Sequence, residues 1–178
     1  MASVLVAYAT KYGSTREVAE AVATALGEHG VDTAVRPAGE VTDLDDYAAV
    51  ILGGALYYFR WHRHARRFLA RHRRALAVLP VAVYAMGPLS DTAEEFDGAR
   101  GQLDRALARQ PWLSPVSVAI FGGRLDPEGL RFPDSNPAMK NMPASDVRDW
   151  AEIKAWADSL LDSLGLRGQT FDERGEAQ

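Results

Sequence analysis

The sequence predicts an α/β domain in which five parallel strands are covered by helices on both faces. Three observations predict it. Short apolar, β-branched runs alternate along the chain with amphipathic segments of helical length. The runs are apolar on both alternate positions, as strands buried on two faces must be. The joining segments are long enough for crossovers, which parallel strands require. Composition agrees: of 178 residues, 47% are hydrophobic and 25% charged, values of a folded globular chain rather than a disordered one.

Ser3–Ala9 (SVLVAYA) reads as the first strand and Thr10–Thr15 as a polar turn. Arg16–His29 carries Val18, Ala21, Val22, Ala25 and Leu26 at helical spacing, with Gly30 where a terminating glycine belongs. Val31–Val35 is the second strand, and Ala48–Gly53 (AAVILG) the third, ending at Gly53-Gly54. The connection around Leu44–Ala48 is too short for a good helix, so the second crossover is the least regular. Arg63–Leu76 is helical, Val81–Met86 the fourth strand, Glu94–Ala108 helical and Val116–Phe121 the fifth strand. Asp146–Leu164 is the last helix, with Trp150, Ile153, Trp156, Ala157, Leu160 and Leu164 on one face. Residues 122–147 hold four prolines and little periodicity, and a loop of that length in a compact domain is usually functional or mobile. Residues 1–165 read as one domain, and the chain after Leu166 as a polar, frayed tail.

Cysteine is absent, which excludes disulfides, thiol nucleophiles and iron–sulfur ligation. No apolar run reaches the roughly 18 residues of a membrane span. The start carries no basic segment, so a cytoplasmic location is expected. Charge is uneven. Seven arginines and no acid lie between Tyr47 and Ser90, all of them from Arg60 to Arg74; the chain is −4 overall, so the remainder carries −11. Such a stripe is either a solvated helix face or a docking surface for an anionic partner. Nucleic acid is not expected, because the other faces are acidic. His62 and His64 lie among these arginines, which repel cations, so no metal is expected there.

The first strand-to-helix turn, Thr10-Lys11-Tyr12-Gly13-Ser14-Thr15, is the most informative segment. Helix-terminal amides, a flexible glycine and three hydroxyls make an anion site; plain N-capping by Ser14 or Thr15 is the alternative. Neither a dinucleotide-binding glycine pattern nor an NTPase loop is present. A second segment, Gly54-Ala55-Leu56-Tyr57-Tyr58-Phe59-Arg60-Trp61, places four aromatics in five residues just after a strand. Those rings suit a flat conjugated ligand, or merely cap the core. The third segment is Gly87-Pro88-Leu89-Ser90-Asp91, after strand four, and the fourth is Gly122-Gly123-Arg124.

The turn resembles the phosphate loop of flavodoxins: Thr10, Gly13, Ser14 and Thr15 match T-x-T-G-x-T, with Tyr12 in place of a hydroxyl residue that is common there. The resemblance implies a flavodoxin-like three-layer sandwich with strand order 2-1-3-4-5 and FMN at the carboxyl ends of the strands. The FMN-binding set it implies is Thr10, Lys11, Tyr12, Gly13, Ser14 and Thr15 around the phosphate, then Ala55, Leu56, Tyr57 and Tyr58 on one side of the ring. Met86, Gly87, Pro88 and Leu89 would close the other side, with loop amides bonding the pyrimidine oxygens. The stretches Ile51–Tyr58 and Phe121–Asp126, the insertion after strand five and Asp149–Ile153 look like quinone-dependent protoporphyrinogen dehydrogenases of flavodoxin type. That resemblance implies an oxidoreductase of heme biosynthesis passing hydride equivalents from protoporphyrinogen IX through FMN to a quinone. The insertion here is rich in proline and acids, a departure that bears on membrane docking. A one-electron flavodoxin carrier between redox proteins is the alternative, and a binding module without redox work a third. The basic stripe at Arg60–Arg74 would then meet propionates, an acidic redox partner or an anionic membrane surface. No residue presents itself as a general base, so no catalytic residue is assigned; flavin supplies the chemistry.

Overall fold

The computed structural model describes residues 3–167. Its elements are β1 (Ser3–Ala9), α1 (Ser14–Glu28), β2 (Thr33–Pro37), β3 (Tyr47–Tyr57), β4 (Arg60–Trp61), α2 (Arg63–Arg71), α3 (Arg73–Leu76), β5 (Val81–Met86), α4 (Ala93–Ala108), β6 (Ser117–Phe121), β7 (Arg124–Leu125), α5 (Pro137–Lys140), β8 (Ser145–Asp146) and α6 (Trp150–Ser163). Five strands form a parallel sheet in the order β2-β1-β3-β5-β6, the expected 2-1-3-4-5 arrangement when the short β4 is left out of the count. The tail expected to fray lies outside the described residues from 168 onward.

Strand alternation divides the core between two helical layers. Val4, Val6, Ile51, Ala82, Tyr84 and Met86 pack toward α1 and α6, while Leu5, Ala7, Val50, Leu52, Val83 and Ala85 pack toward α2, α3 and α4. Each large aliphatic side chain buried this way contributes about 1.5–3 kcal/mol, so both faces are needed.

Three elements differ from the sequence reading, each for a physical reason. β3 does not stop at Gly53-Gly54 but runs on to Tyr57. These glycines sit on opposite faces and make room for large rings: a Cβ on Gly53 would overlap the buried Tyr84 ring, and one on Gly54 would meet the Trp61 indole. Trp61 Nε1 also donates to the Gly54 carbonyl at 2.9 Å. The helix expected over Arg63–Leu76 is broken at His72, which is buried and directs Nε2 toward the Val41 carbonyl at 3.3 Å. As the short connection predicts, the β2–β3 crossover holds no helix, and Ala38, Val41 and Leu44 of that loop fill the core in its stead. The last helix starts at Trp150, not Asp146, because Asp149 caps it by accepting from the Ala151 and Glu152 amides at 2.9 and 3.0 Å. Trp150 accordingly leaves the core and stacks on Arg148, whose guanidinium lies 4.7 Å from the ring centroid.

The insertion is ordered. Antiparallel pairing of β7 with β8 closes its base, a 3-10 turn spans Pro127–Gly129, and α5 follows. A Cβ on Gly122 would overlap the Val147 backbone, so this glycine lets the returning chain pass beside β6.

Candidate functional site

A cavity of about 1130 Å³ opens at the carboxyl ends of the strands. Open parallel sheets bind ligands there. Its walls come from the β1–α1 loop, the β3–β4 hairpin, the β5–α4 loop and the insertion. Of the fourteen expected binding residues, eleven line it: Lys11, Tyr12, Ser14, Ala55, Leu56, Tyr57, Tyr58, Met86, Gly87, Pro88 and Leu89. Thr10, Gly13 and Thr15 do not line it and shape the loop behind it.

Gly13 caps α1 in the left-handed conformation (φ 93°), and no side chain caps the helix, contrary to the alternative of a Ser14 or Thr15 cap. Thr10 instead holds the loop, its Oγ1 accepting from the Gly13 amide at 2.9 Å. Thr15 is fully buried, and its hydroxyl is one of two buried side-chain polar atoms without a partner among the described residues, the other being Ser145. A buried hydroxyl without a partner costs roughly 1–3 kcal/mol. It lies in the first turn of α1, whose leading amides no side chain caps, the kind of helix terminus that favours anions. Arg148, whose side chain is buried, braces this turn from below. It pairs with Asp146 at 2.6 and 2.8 Å, contacts Glu17, and reaches the Ser14 carbonyl at 3.5 Å. The Asp146 hydrogen bonds lead in raising the Arg148 pKa, so it is charged at every working pH.

Tyr57 stands edge-on between Tyr12, 6.5 Å away, and His62, 5.9 Å away. Burial pushes its hydroxyl up to about 12, so it stays protonated. His62 caps α2, its Nδ1 accepting from the His64 amide at 3.1 Å. Burial, then His64, Arg63 and Arg66, push its pKa down to about 4 and keep it neutral. The hairpin turns at Tyr58 and Phe59, both with positive φ (47° and 63°), a conformation that costs a non-glycine residue energy. It leaves Phe59 80% exposed at the cavity rim.

Two acids that the sequence reading did not single out organise the walls. Glu95 sits on α4, and its carboxylate accepts from the Leu89 and Ser90 amides at 2.6 and 3.0 Å and from the Ser90 hydroxyl at 2.7 Å. The loop donors expected for a pyrimidine ring are therefore held by an internal carboxylate. Thr92-x-x-Glu95 is a capping-box spacing, the one local signal that marked Glu95. Asp134 of the insertion is buried, and three donors converge on it: Lys11 Nζ and Tyr12 Oη at 2.6 Å on one oxygen, Tyr58 Oη at 2.8 Å on the other. Burial alone works to raise this carboxyl, but the bonds from Lys11, Tyr12 and Tyr58 outweigh it and hold it below the usual carboxylate range. The side-chain polar groups of Lys11 and Tyr12 thus face the insertion rather than the α1 terminus. Gly123 and Arg124 also line the cavity, and the Gly123 amide donates to the Pro88 carbonyl at 2.6 Å, tying the two walls together.

The basic stripe begins at Arg60 on β4 and continues along α2 and α3. Arg63, Arg67, Arg71 and Arg74 are exposed, while Phe68, Leu69 and Leu76 are buried beneath them. Among the described residues no helix is long and apolar enough to cross a membrane.

Comparison with known proteins agrees with this geometry. The flavodoxin domain family model matches residues 5–140. The protoporphyrinogen IX dehydrogenase [quinone] of Escherichia coli strain K12 is 24% identical over 131 residues, covering 72% of this chain and 70% of that protein. Among solved structures, a flavodoxin from the domain Archaea superposes with a TM-score of 0.58 at 15% identity, covering 92% of this chain and 99% of that one. Flavodoxin 1 from Bacillus cereus gives 0.58 at 14% identity over 90% and 98%. These structural likenesses concern the fold. The uncapped α1 terminus, the orphaned Thr15 hydroxyl and a cavity with one aromatic wall fit a phosphorylated flat-ring cofactor. The chain belongs to the flavodoxin domain family, a flavodoxin-like redox protein whose membership implies FMN as its cofactor.

Proposed function

We propose that this protein is an FMN-dependent oxidoreductase of the protoporphyrinogen dehydrogenase type, passing hydride equivalents from a porphyrinogen-like donor to a quinone. The observation that carries this reading is the ordered insertion, which walls one side of the cavity through Leu125, Leu130, Asp134 and Met139. A cavity of about 1130 Å³ exceeds the roughly 300–1,000 Å³ of typical small-ligand sites, which supports a site that takes a second planar molecule beside a flavin. The weak similarity to the Escherichia coli enzyme supports the same reading.

In this proposal the α1 amides and the Thr15 hydroxyl hold the phosphate, with Ser14 beside them. Tyr57 and Tyr58 shield one edge of the ring and Pro88 and Leu89 the other. FMN, when bound, accepts and returns the hydride. The chain's own work is to orient the ring, exclude water from its face and set the field around it. Two of the cavity's titratable groups are already committed elsewhere: Tyr57 is held protonated and Glu95 is bound to the loop.

Glu94 and Glu95, both at the cavity wall, favour a second reading, that of an electron carrier. A carboxylate near the ring disfavours an anionic reduced flavin and lowers its potential. One anaerobic experiment separates the two. The enzyme reading expects reduction of the FMN-loaded protein in one two-electron step, with oxidation of protoporphyrinogen IX and turnover of a quinone. A one-electron plateau in the titration, with no porphyrinogen oxidation, sinks it in favour of the carrier.

A further inference from the structure

We propose that Lys11, Tyr12 and Tyr58 form a carboxylate-binding subsite, and that Asp134 fills it as an internal stand-in for a carboxylate of the substrate. The three donors come from two different loops of the sheet edge, the β1–α1 loop and the β3–β4 hairpin. Their shared acceptor comes from the insertion, 123, 122 and 76 residues away along the chain. All four residues line the cavity. An ammonium and two phenols around one carboxylate is an anion receptor with both oxygens addressed, and charge-assisted bonds of this kind are the strong ones.

Two features argue for a receptor rather than a simple brace. The hairpin that presents Tyr58 is held at positive φ at both Tyr58 and Phe59, and such strain clusters where function fixes geometry. The Lys11 side chain also remains 38% exposed while the Asp134 side chain is only 8% exposed, so the ammonium can be approached from the cavity while the insertion is in place. The receptor lies in the cavity wall, which suits a small carboxylated molecule better than a side chain of a docking protein.

The ligand class follows from the proposed function, on which this inference rests: a flat macrocycle carrying carboxylate arms would set its plane beside the flavin and one arm on Lys11. Asp134 would then leave the receptor, and the insertion would shift with it. The donors stay the same; one carboxylate replaces another, so no charge is stranded in the wall.

The test is equilibrium binding of mesoporphyrin IX and of its dimethyl ester to the FMN-loaded protein, followed by porphyrin fluorescence. Asp134→Ala removes the internal competitor and is expected to bind the diacid at least 10-fold more tightly than the unaltered protein, with no gain for the ester. Adding Lys11→Met to that variant is expected to cancel the gain. Should Asp134→Ala lose its fold by circular dichroism, Asp134→Asn keeps the shape without the charge and is expected to show a gain of several-fold. No gain for the diacid, or an equal gain for the ester, overturns the subsite. A glutamate hexapeptide that binds Asp134→Ala as tightly as the diacid overturns the assignment to a small molecule. A diacid-selective gain in a protein that fails to oxidise protoporphyrinogen IX upholds the subsite and removes only the proposed reaction.

Discussion

Thr15 separates a binding role from a structural one with a single atom. Its hydroxyl is buried and unpartnered, behind an α1 N-terminus that no side chain caps. Thr15→Val replaces that hydroxyl with a methyl of nearly the same volume and keeps the β-branch, so helix propensity and packing barely change. In the apoprotein the variant loses no hydrogen bond and is relieved of an unsatisfied polar group worth roughly 1–3 kcal/mol. For a chain of this size each kcal/mol shifts Tm by about 2–4 °C, so the apo Tm should hold or rise by a few degrees. The FMN-bound form should lose one hydrogen bond to a charged phosphate, about 1.5–3 kcal/mol, and so weaken FMN by about 10- to 150-fold. Quenching of flavin fluorescence measures the affinity and differential scanning calorimetry the apo stability. A variant that lowers the apo Tm yet binds FMN within twofold of the original would show that the hydroxyl serves the fold, and the phosphate would have to be placed elsewhere.

Three further outcomes follow from the same geometry. Gly53→Ala drives a methyl into the buried Tyr84 ring, whose hydroxyl reaches the Thr15 carbonyl at 3.3 Å, and should cost about 3 kcal/mol or roughly 6–12 °C of Tm. The control Gly27→Ala, in open space on α1, should stabilise by up to about 1 kcal/mol; equal Tm values for the two variants would refute the packing argument. His62 has a folded pKa of about 4 against an ordinary value near 6.5, so the unfolded chain binds the proton first. Apo stability should therefore be complete above about pH 6.5 and decline toward pH 4, and His62→Gln should flatten that limb in urea titrations at a series of pH values; an unchanged limb would assign it to other groups. Arg67→Glu with Arg71→Glu reverses two exposed charges of the stripe, away from the cavity lining. The pair should weaken an anionic substrate or partner in a salt-dependent way and leave FMN affinity intact; unchanged steady-state kinetics in low salt would refute a docking role.

The sheet was legible because its signals are local. Apolar runs such as Val4–Ala7 and Val81–Met86 announce themselves by composition, and eleven residues chosen from three strand-end loops meet around one cavity. The errors share a cause: a local sign was outvoted by a distant neighbour. Gly53-Gly54 reads as a strand stop, yet the glycines are there because Tyr84 and Trp61, far along or across the chain, need the space that a Cβ would take. The β3–β4 hairpin turns through Tyr58-Phe59, which carries none of the Asn-Gly or Asp-Gly chemistry that marks such turns. His72 breaks a periodic helix because it turns inward toward Val41.

Asp134 is the extreme case, and it bears most on function. In the sequence it is one acid in a proline-rich stretch with no period, indistinguishable from Asp126 or Asp146. Its meaning comes from three donors, none nearer than 76 residues, that the sheet edge has already assembled. A carboxylate buried against an ammonium and two phenols would be costly to retain if it only closed a loop, since an apolar contact closes loops without desolvating charge. Its folded pKa lies below the ordinary aspartate value, so the clasp contributes stability above about pH 4 and is lost as the pH falls through the folded value. Across the neutral range, protonation therefore leaves the clasp intact. An incoming carboxylate, which needs the same three donors, is the kind of ligand that opens it.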